Sequence, residues 1–264
     1  MNSSLSNLPF TAMRWLCLFG MVATVSTAFA APAPPETPAV DGKKYSSPSL
    51  VPIKDVPGLP RVLLIGDSIS MGYTLPTRAA LSGKANVHRA PTNCGSTLSG
   101  VQNLDEWLGA GHWDVIHFNW GMHDLKYLEN GKQNVPPAVY EANLQKLVAR
   151  LQRTGATLIF ATTTPIPEYT KGVFKRHQGD VKTYNDIAEK IMKSNGIMID
   201  DLYAFALPKM SEIQVTNDVH QTKQGALILS QKVASSILEA LATRSAMKQP
   251  DQPHASSTNI IHGK

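Results

Sequence analysis

Arg61-Val62-Leu63-Leu64-Ile65-Gly66-Asp67-Ser68 is the stretch that decides the fold of this 264-residue chain. Its first five residues are mainly apolar and do not alternate with polar ones, which is typical of a strand buried on both faces of a parallel sheet. The following glycine allows a tight turn, and Asp67 and Ser68 favour the start of a helix. Ser68 is thus predicted at the carboxyl end of a strand, where open α/β sheets bind their ligands. Taken alone, the Gly-Asp-Ser tripeptide is explained more simply as a strand-to-helix turn.

Strand-like and helix-like patterns alternate along the rest of the chain. Four more strands are predicted over 86–89, 114–120, 157–163 and 196–200. Between these strands the apolar residues recur at helical spacing, which predicts connecting helices, and a last helix is predicted over 222–241. Pro76 is expected to interrupt the first helix. This alternation predicts a three-layer α/β/α sandwich with a flavodoxin-like, doubly wound sheet of about five parallel strands.

The N-terminus has the pattern of an export signal. Arg14 precedes an apolar run from Trp15 to Val25, and Ala28-Phe29-Ala30 provides small residues for cleavage. The run is short for a membrane span, so an uncleaved anchor helix is the alternative interpretation. We therefore expect an exported protein, in the periplasm or outside the cell, with no stable membrane insertion after cleavage.

Composition divides the chain into four parts and excludes some partners. A signal peptide over 1–30 is followed by a Pro-rich linker over 31–57, a catalytic domain over 58–242 and a disordered tail over 243–264.

With 42% hydrophobic and 17% charged residues the chain is globular. Its formal charge of +5 comes from scattered Lys and Arg, which excludes a nucleic-acid footprint. Cleavage would leave Cys94 as the only cysteine, which we interpret as a buried small residue without a disulfide partner.

Four polar clusters are expected at one edge of the sheet. Ser68 and the segments 93–95, 121–124 and 218–220 each follow a predicted strand or precede a helix. A nucleophilic serine needs a base, which His220 can supply, and it needs donors for an oxyanion. The Ser68 and Gly95 amides, with a side chain at position 123, can provide those donors.

These clusters, in this order, resemble the SGNH (GDSL-type) hydrolases over residues 60–240. Gly66-Asp67-Ser68 matches the first block of that family, and Asn93-Cys94-Gly95 is similar to the second. Gly121-Met122-His123-Asp124 resembles the third block in a bacterial sub-branch, and His220 matches the fourth. The resemblance implies a serine hydrolase in which Ser68 is the nucleophile, His220 the base, and Ser68, Gly95 and His123 the oxyanion hole.

The third block departs from the usual family pattern, because His123 replaces an asparagine. A neutral imidazole can still donate one N–H, so we expect His123 in the oxyanion hole. A supporting or metal-binding role for His123 is the alternative. No His-x-x-x-His or cysteine cluster supports a metal site, and we expect neither metal nor cofactor.

The fourth block departs as well, because its usual Asp-x-x-His spacing is absent. Asn217 stands three residues before His220, and Asp218 stands two before it. An aspartate orients the base and stabilises the imidazolium, whereas an asparagine or a backbone carbonyl could only orient it. We assign Asp218 to the triad.

Several other polar or aromatic side chains are interpreted as structural. Asp124 is expected to hold its loop by local hydrogen bonds, and His117 to be packed or hydrogen-bonded. Of the tryptophans, Trp120 is the best candidate for a sugar platform. Arg176 and His177 could contact the substrate, but they are interpreted as parts of a solvated loop.

The sequence therefore predicts an exported serine esterase without cofactors. The resemblance implies small acyl esters, such as acetyl esters on carbohydrates, as substrates. A lysophospholipase or thioesterase is the alternative enzyme, although no apolar insert for a long acyl chain is evident. The substitutions at His123 and Asn217 also motivate a non-catalytic glycan-binding module on the same fold.

Overall fold

A five-stranded parallel sheet forms the centre of the computed structural model, which describes residues 45–171 and 174–248. The strand order is β2-β1-β3-β4-β5, the flavodoxin-like order predicted from the sequence. In this order the connections reverse direction between β1 and β3, so the residues after these two strands meet at the carboxyl edge. The strands are β1 (Arg61–Ile65), β2 (Asn86–Arg89), β3 (Val115–Phe118), β4 (Thr157–Ala161) and β5 (Met198–Asp200).

Helices cover the sheet in two layers. The first layer pairs α1 with α7, and the second consists of α2, α3 and α4 packed in sequence. This arrangement confirms the predicted α/β sandwich. The helices are α1 (Ser68–Ala80), α2 (Thr97–Leu108), α3 (Pro137–Gln152), α4 (Gln178–Ser194), α5 (Leu202–Ala206), α6 (Met210–Ile213) and α7 (Lys223–Lys248), with short 3-10 turns at Pro48–Leu50 and Leu207–Lys209.

The core lies between the sheet and these helices, and it includes two side chains considered above as functional candidates. Trp120 is only 1% exposed. A Cβ added to Gly100 of α2 would lie 2.9 Å from the Trp120 ring, so the indole is packed against this helix. Trp120 is therefore a core residue and not a sugar platform. Cys94 is fully buried, and burial raises the pKa of its thiol to about 11, which confirms a packing role.

The first helix differs from its predicted form. It begins at Ser68 and continues through Pro76 to Ala80, although Pro76 was expected to interrupt it. Asp67 fixes the start of this helix, because its carboxylate caps the first turn by accepting from the Ile69 amide at 2.9 Å. Near Pro76, the Thr77 hydroxyl donates to the Tyr73 carbonyl at 2.7 Å and keeps the turn bonded.

The last helix is longer than predicted and shortens the expected tail. It reaches Lys248, because Arg244 donates to the Gly155 carbonyl at 2.8 Å and to Asp114 at 3.3 Å. Residues 243–248 are thus helical, which corrects the assignment of a tail starting at 243. By length and composition, α7 is the one described helix that could cross a membrane, but its buried face packs in the core of this domain.

The remaining predictions for the chain ends are tested only in part. The signal peptide over 1–30, the linker up to residue 44 and the tail over 249–264 lie outside the described residues. Within the Pro-rich segment, Ser49 and Leu50 are buried, and their 3-10 turn packs against α1. The end of this segment therefore lies against the domain.

Candidate active site

Ser68 is the first residue of α1 and directly follows the turn after β1. Its side chain is half-buried. Asp67 uses its carboxylate on the Ile69 amide, while no acceptor for the Ser68 amide is found among the described residues. This amide belongs to the first turn of a helix, where N–H groups point away from the helix and can bind an anion. Ser68 thus presents a hydroxyl and a backbone donor at the same place.

Arg89 lies beneath this turn and was not identified from the sequence. Arg89 is buried, with 9% of its surface exposed. One terminal nitrogen donates to the carbonyls of Gly66 at 2.6 Å and Asp67 at 3.2 Å, and the other donates to Ser70 Oγ. The Asp67 carbonyl belongs to the same peptide group as the Ser68 amide. Donation to this carbonyl polarises the peptide and makes the Ser68 N–H a stronger donor.

His220 stands between Ser68 and Asp218. Its Nε2 lies 2.9 Å from Ser68 Oγ, and its Nδ1 lies 2.7 Å from Asp218 Oδ1. The same carboxylate oxygen also accepts from the His220 backbone amide at 3.0 Å. An Asp that accepts from the amide two residues ahead forms an Asx turn, which explains how a spacing of two can serve in place of three. Hydrogen bonding from His220 outweighs the effect of burial and lowers the pKa of Asp218, so this group is ionised.

The loop that carries His220 is closed at its base and docked on α1. Gln214 and Gln221 form an antiparallel bridge, and Gln221 Nε2 donates to the Ile69 carbonyl at 2.7 Å. Gly225 allows α7 to approach the end of α6 closely, since an added Cβ would lie 1.9 Å from the Ile213 carbonyl oxygen. These contacts hold His220 next to the start of α1.

Asn217 is not in a position to orient His220 through its side chain. Its backbone is left-handed, with a φ of 60°, and its carbonyl accepts from the Lys171 amide at 2.7 Å. No hydrogen bond links the Asn217 side chain to a described residue. Of the three groups considered for this role, the structure brings Asp218 to the imidazole.

His123 lines the same cleft as Ser68 and His220. Its ring nitrogens make no hydrogen bond to the described residues, whereas its carbonyl is held by Asn134 Nδ2 at 2.9 Å. Burial, together with the charges of Lys126 and Arg176, lowers the pKa of His123 despite the opposing effect of Asp67. The ring is therefore neutral near pH 7 and carries one N–H to donate into the cleft.

Asp124 connects the third block to the second, rather than only holding its own loop. Its fully buried carboxylate accepts from the Thr97 amide at 2.9 Å and from the Thr97 hydroxyl at 2.5 Å. Thr97 is the first residue of α2, so this contact links loops that are far apart in the chain. Burial raises the pKa of Asp124 to about 7. The expectation of purely local hydrogen bonds was wrong, because the acceptor reaches a helix start 27 residues away.

Gly95 has the left-handed backbone that favours glycine, with a φ of 59°. Its amide donates to Asn93 Oδ1 at 3.1 Å, within the second-block loop. The structure therefore leaves this predicted oxyanion donor engaged with Asn93, which itself lines the cleft. An oxyanion would have to share or replace that acceptor.

The cleft above Ser68 has a volume of about 350 Å³. It brings together the predicted Ser68, His123, Asp218 and His220, and it also includes Arg176. Arg176 is half-buried, and its Nε donates to the Met122 carbonyl at 3.1 Å. The interpretation of Arg176 as part of a solvated loop was therefore wrong, since this long-range contact places it in the site.

Other ionisable side chains do not form a metal site in the described part of the chain. No group of three or more His, Cys, Asp or Glu residues there could hold a metal ion. His117 is fully buried and pairs with Asp200 at 3.1 Å. This contact confirms that His117 is a hydrogen-bonded core histidine.

The strand order and the residues at this edge define the class of GDSL-type hydrolases. The chain matches the model of the GDSL-like lipase/acylhydrolase family over residues 64–228, and it belongs to that family. It is thus an ester-hydrolysing enzyme, as predicted from the sequence. No curated protein sequence matches the chain.

Solved structures share the fold at low sequence identity. A lipase/acylhydrolase from Enterococcus faecalis is 16% identical, with a TM-score of 0.59, and the match covers 74% of this chain and all of the other. The acetyl xylan esterase AlAXEase is 19% identical, with a TM-score of 0.58 and coverage of 67% and 99%. An acetyl-xylooligosaccharide esterase from Geobacillus Stearmophilus, in a mutant form, is 17% identical, with a TM-score of 0.55 and coverage of 67% and 94%.

Proposed function

We propose that this protein is an exported serine esterase that removes small acyl groups, such as acetyl groups, from carbohydrates. The observation that carries the proposal is the chain of contacts from Asp218 through His220 to Ser68, at 2.7 and 2.9 Å. Both contacts are within hydrogen-bond distance, as a nucleophile and its base require. Export rests on the sequence pattern of residues 1–30.

The proposed reaction proceeds through an acyl-enzyme. His220 Nε2 takes the proton of Ser68 Oγ as this oxygen attacks the ester carbonyl, and the proton then passes to the leaving alcohol. Asp218 stabilises the imidazolium formed in this step. Water, activated by His220, then hydrolyses the acyl-Ser68 bond and restores the hydroxyl.

Two hydrogen-bond donors in the cleft have no acceptor among the described residues and can bind the oxyanion. One is the Ser68 amide, which Arg89 polarises through the Asp67 carbonyl, and the other is the neutral His123 ring. The Gly95 amide becomes a third donor if the oxyanion displaces Asn93 Oδ1.

The cleft supports a small, polar substrate. A volume of about 350 Å³ is near the lower end of the range for small-molecule sites. Most of its lining residues are polar or charged, and only Met122, Phe174 and Val219 are apolar. This lining suits a short acyl group on a sugar better than a long acyl chain. The two xylan-type esterases with the same fold act on substrates of this kind, according to their names.

Ser68→Ala tests the proposal against the glycan-binding module. We expect hydrolysis of p-nitrophenyl acetate to fall by at least about a thousandfold, because the covalent route is lost. Ser82→Ala is the matched control, since Ser82 is exposed beyond the end of α1 and its hydroxyl bonds no described residue. Equal rates for wild type and Ser68→Ala would refute the esterase. Acetate release from acetylated oligosaccharides, compared with fatty acid release from p-nitrophenyl dodecanoate, tests the substrate class.

A further inference from the structure

Arg176 carries a positive charge in the active-site cleft that no carboxylate of the described chain neutralises. Its Nε is bonded to the Met122 carbonyl at 3.1 Å, whereas its two terminal nitrogens have no hydrogen-bond partner among the described residues. No carboxylate in residues 45–171 or 174–248 lies within 4.0 Å of the guanidinium. A half-buried guanidinium normally has an anionic or hydrogen-bonding partner, because its desolvation is costly.

The two carboxylates that act on Arg176 electrostatically are both used elsewhere. Asp67 caps the Ile69 amide, and Asp218 accepts two hydrogen bonds from His220. Burial lowers the pKa of Arg176, and the charges of Asp67 and Asp218 offset this effect only in part. Since each carboxylate has a role in the triad or in its helix, Arg176 is left to bind a group from outside the protein.

The segment that carries Arg176 is firmly attached to the third-block loop. The Tyr127 amide donates to the Lys175 carbonyl at 2.8 Å. Lys126 Nζ lies 3.9 Å above the ring of Phe174, which lines the cleft. Burial, and next the charge of Arg176, lower the pKa of Lys126, so the two cations repel each other. Repulsion between them would be relieved by an anion bound at the same place.

We propose that Arg176, assisted by Lys126, binds a carboxylate of the substrate next to the scissile ester. The proposal rests on the esterase function and defines its substrate class more closely. The carboxylate can belong to the alcohol part, as in an acetylated uronic acid, or to the acyl part, as in a succinyl ester. A guanidinium is suited to this group because its two terminal nitrogens can donate to both carboxylate oxygens.

Two pairs of esters test this proposal and distinguish the sources of the carboxylate. Acetylated methyl glucuronoside is compared with acetylated methyl glucoside, and monomethyl succinate with methyl succinamate. We expect wild type to prefer the charged member of one pair by about tenfold in kcat/KM, the factor expected from one charge-assisted hydrogen bond. Higher salt should reduce this preference. A ratio near one in both pairs would overturn the proposal.

Substitutions assign the preference to Arg176. Arg176→Gln should bring the charged-to-neutral ratio close to one, and Arg176→Lys should retain part of it. Arg153→Gln is the matched control, because Arg153 is exposed at the end of α3 and bonds no described residue through its side chain. Lys126→Gln should also lower the charged-to-neutral ratio. This variant keeps Arg176 and its hydrogen bond to the Met122 carbonyl. If Arg176→Gln slows both members of each pair equally, Arg176 acts on the ester itself and the proposal fails.

A binding measurement separates failure of this inference from failure of the esterase. In Ser68→Ala, calorimetry compares the affinities for the charged and neutral esters without turnover. If wild type cleaves no ester but Ser68→Ala binds the charged one about tenfold more tightly, the hydrolytic function is wrong and the carboxylate site stands. Equal affinities, with or without hydrolysis, overturn the carboxylate site.

Discussion

Asp218→Asn removes the charge of the triad carboxylate but keeps its shape. In the structure, one oxygen of Asp218 accepts from both the amide and the Nδ1 of His220, at 3.0 and 2.7 Å. An asparagine amide oxygen can accept both bonds, and the backbone amide holds it in the same orientation. We therefore expect His220 to keep the tautomer that leaves Nε2 as the acceptor for the Ser68 proton.

The expected loss is then the lost attraction between the carboxylate and the imidazolium. At about 4 Å, this attraction is about 1 kcal/mol in water and about 4 kcal/mol near a protein surface. The His220 and Asp218 side chains are 49% and 39% exposed, so the weaker part of this range applies. We expect kcat to fall about 5- to 30-fold, which corresponds to about 1–2 kcal/mol. A buried triad that changes tautomer loses on the order of 10⁴.

Initial rates at saturating p-nitrophenyl acetate, for variants with wild-type thermal unfolding, measure this loss. Asp218→Ala should lose more than Asp218→Asn, because it removes the acceptor as well as the charge. Asn217→Gly is the control in the same loop, since glycine suits the φ of 60° and should change kcat by less than about twofold. A loss near 10⁴ for Asp218→Asn would refute the shared-oxygen argument. A larger loss for Asn217→Gly than for Asp218→Asn would refute the assignment of Asp218.

Two further predictions concern buried charges around the site. Arg89→Met removes one of the two donors to each of the Gly66 and Asp67 carbonyls and the donor to Ser70 Oγ; we expect about 2–4 kcal/mol less free energy of unfolding in urea and a lower kcat, and unchanged stability would contradict this. Burial raises the pKa of Asp124 from 3.8 to about 7, so its contribution to stability is complete below pH 4 and is lost as the pH rises towards 7. Between pH 5 and 8 the free energy of unfolding of wild type should fall about 2–3 kcal/mol more than that of Asp124→Asn, and parallel profiles would contradict this.

Buried strands made the fold predictable, whereas the ends of helices depended on contacts from elsewhere. Apolar runs such as 61–65 and the alternation of strands and helices gave the sheet and its approximate order. The first helix continues through Pro76, although the proline was expected to interrupt it. The last helix extends to Lys248 because Arg244 bonds to Gly155, which lies 89 residues earlier. The local sequence around a helix end does not indicate a contact with such a distant residue.

The candidate site was predictable where its residues follow strands in a recognisable order. Ser68, His123 and His220 were placed in this way, and they line one cleft. Arg89 was missed, and Arg176 was assigned to a solvated loop, because their partners, Gly66 and Met122, are 23 and 54 residues away. Arg89 had a signal, a charged residue at the end of a strand that is otherwise buried. Arg176 had none, since an arginine in a polar segment is usually solvated.

The departures from the usual motifs become consistent when the loop around His220 is considered as a unit. A spacing of two places Asp218 in an Asx turn, so the carboxylate is fixed by the backbone of the residue it orients. The left-handed Asn217 then directs its carbonyl to the Lys171 amide and ties this loop to the segment before Arg176. Loss of the usual spacing therefore changes how the base is held and not whether it is held. Because this loop contacts the segment that leads to Arg176, we expect the recognition of substrate charge and the position of His220 to be coupled.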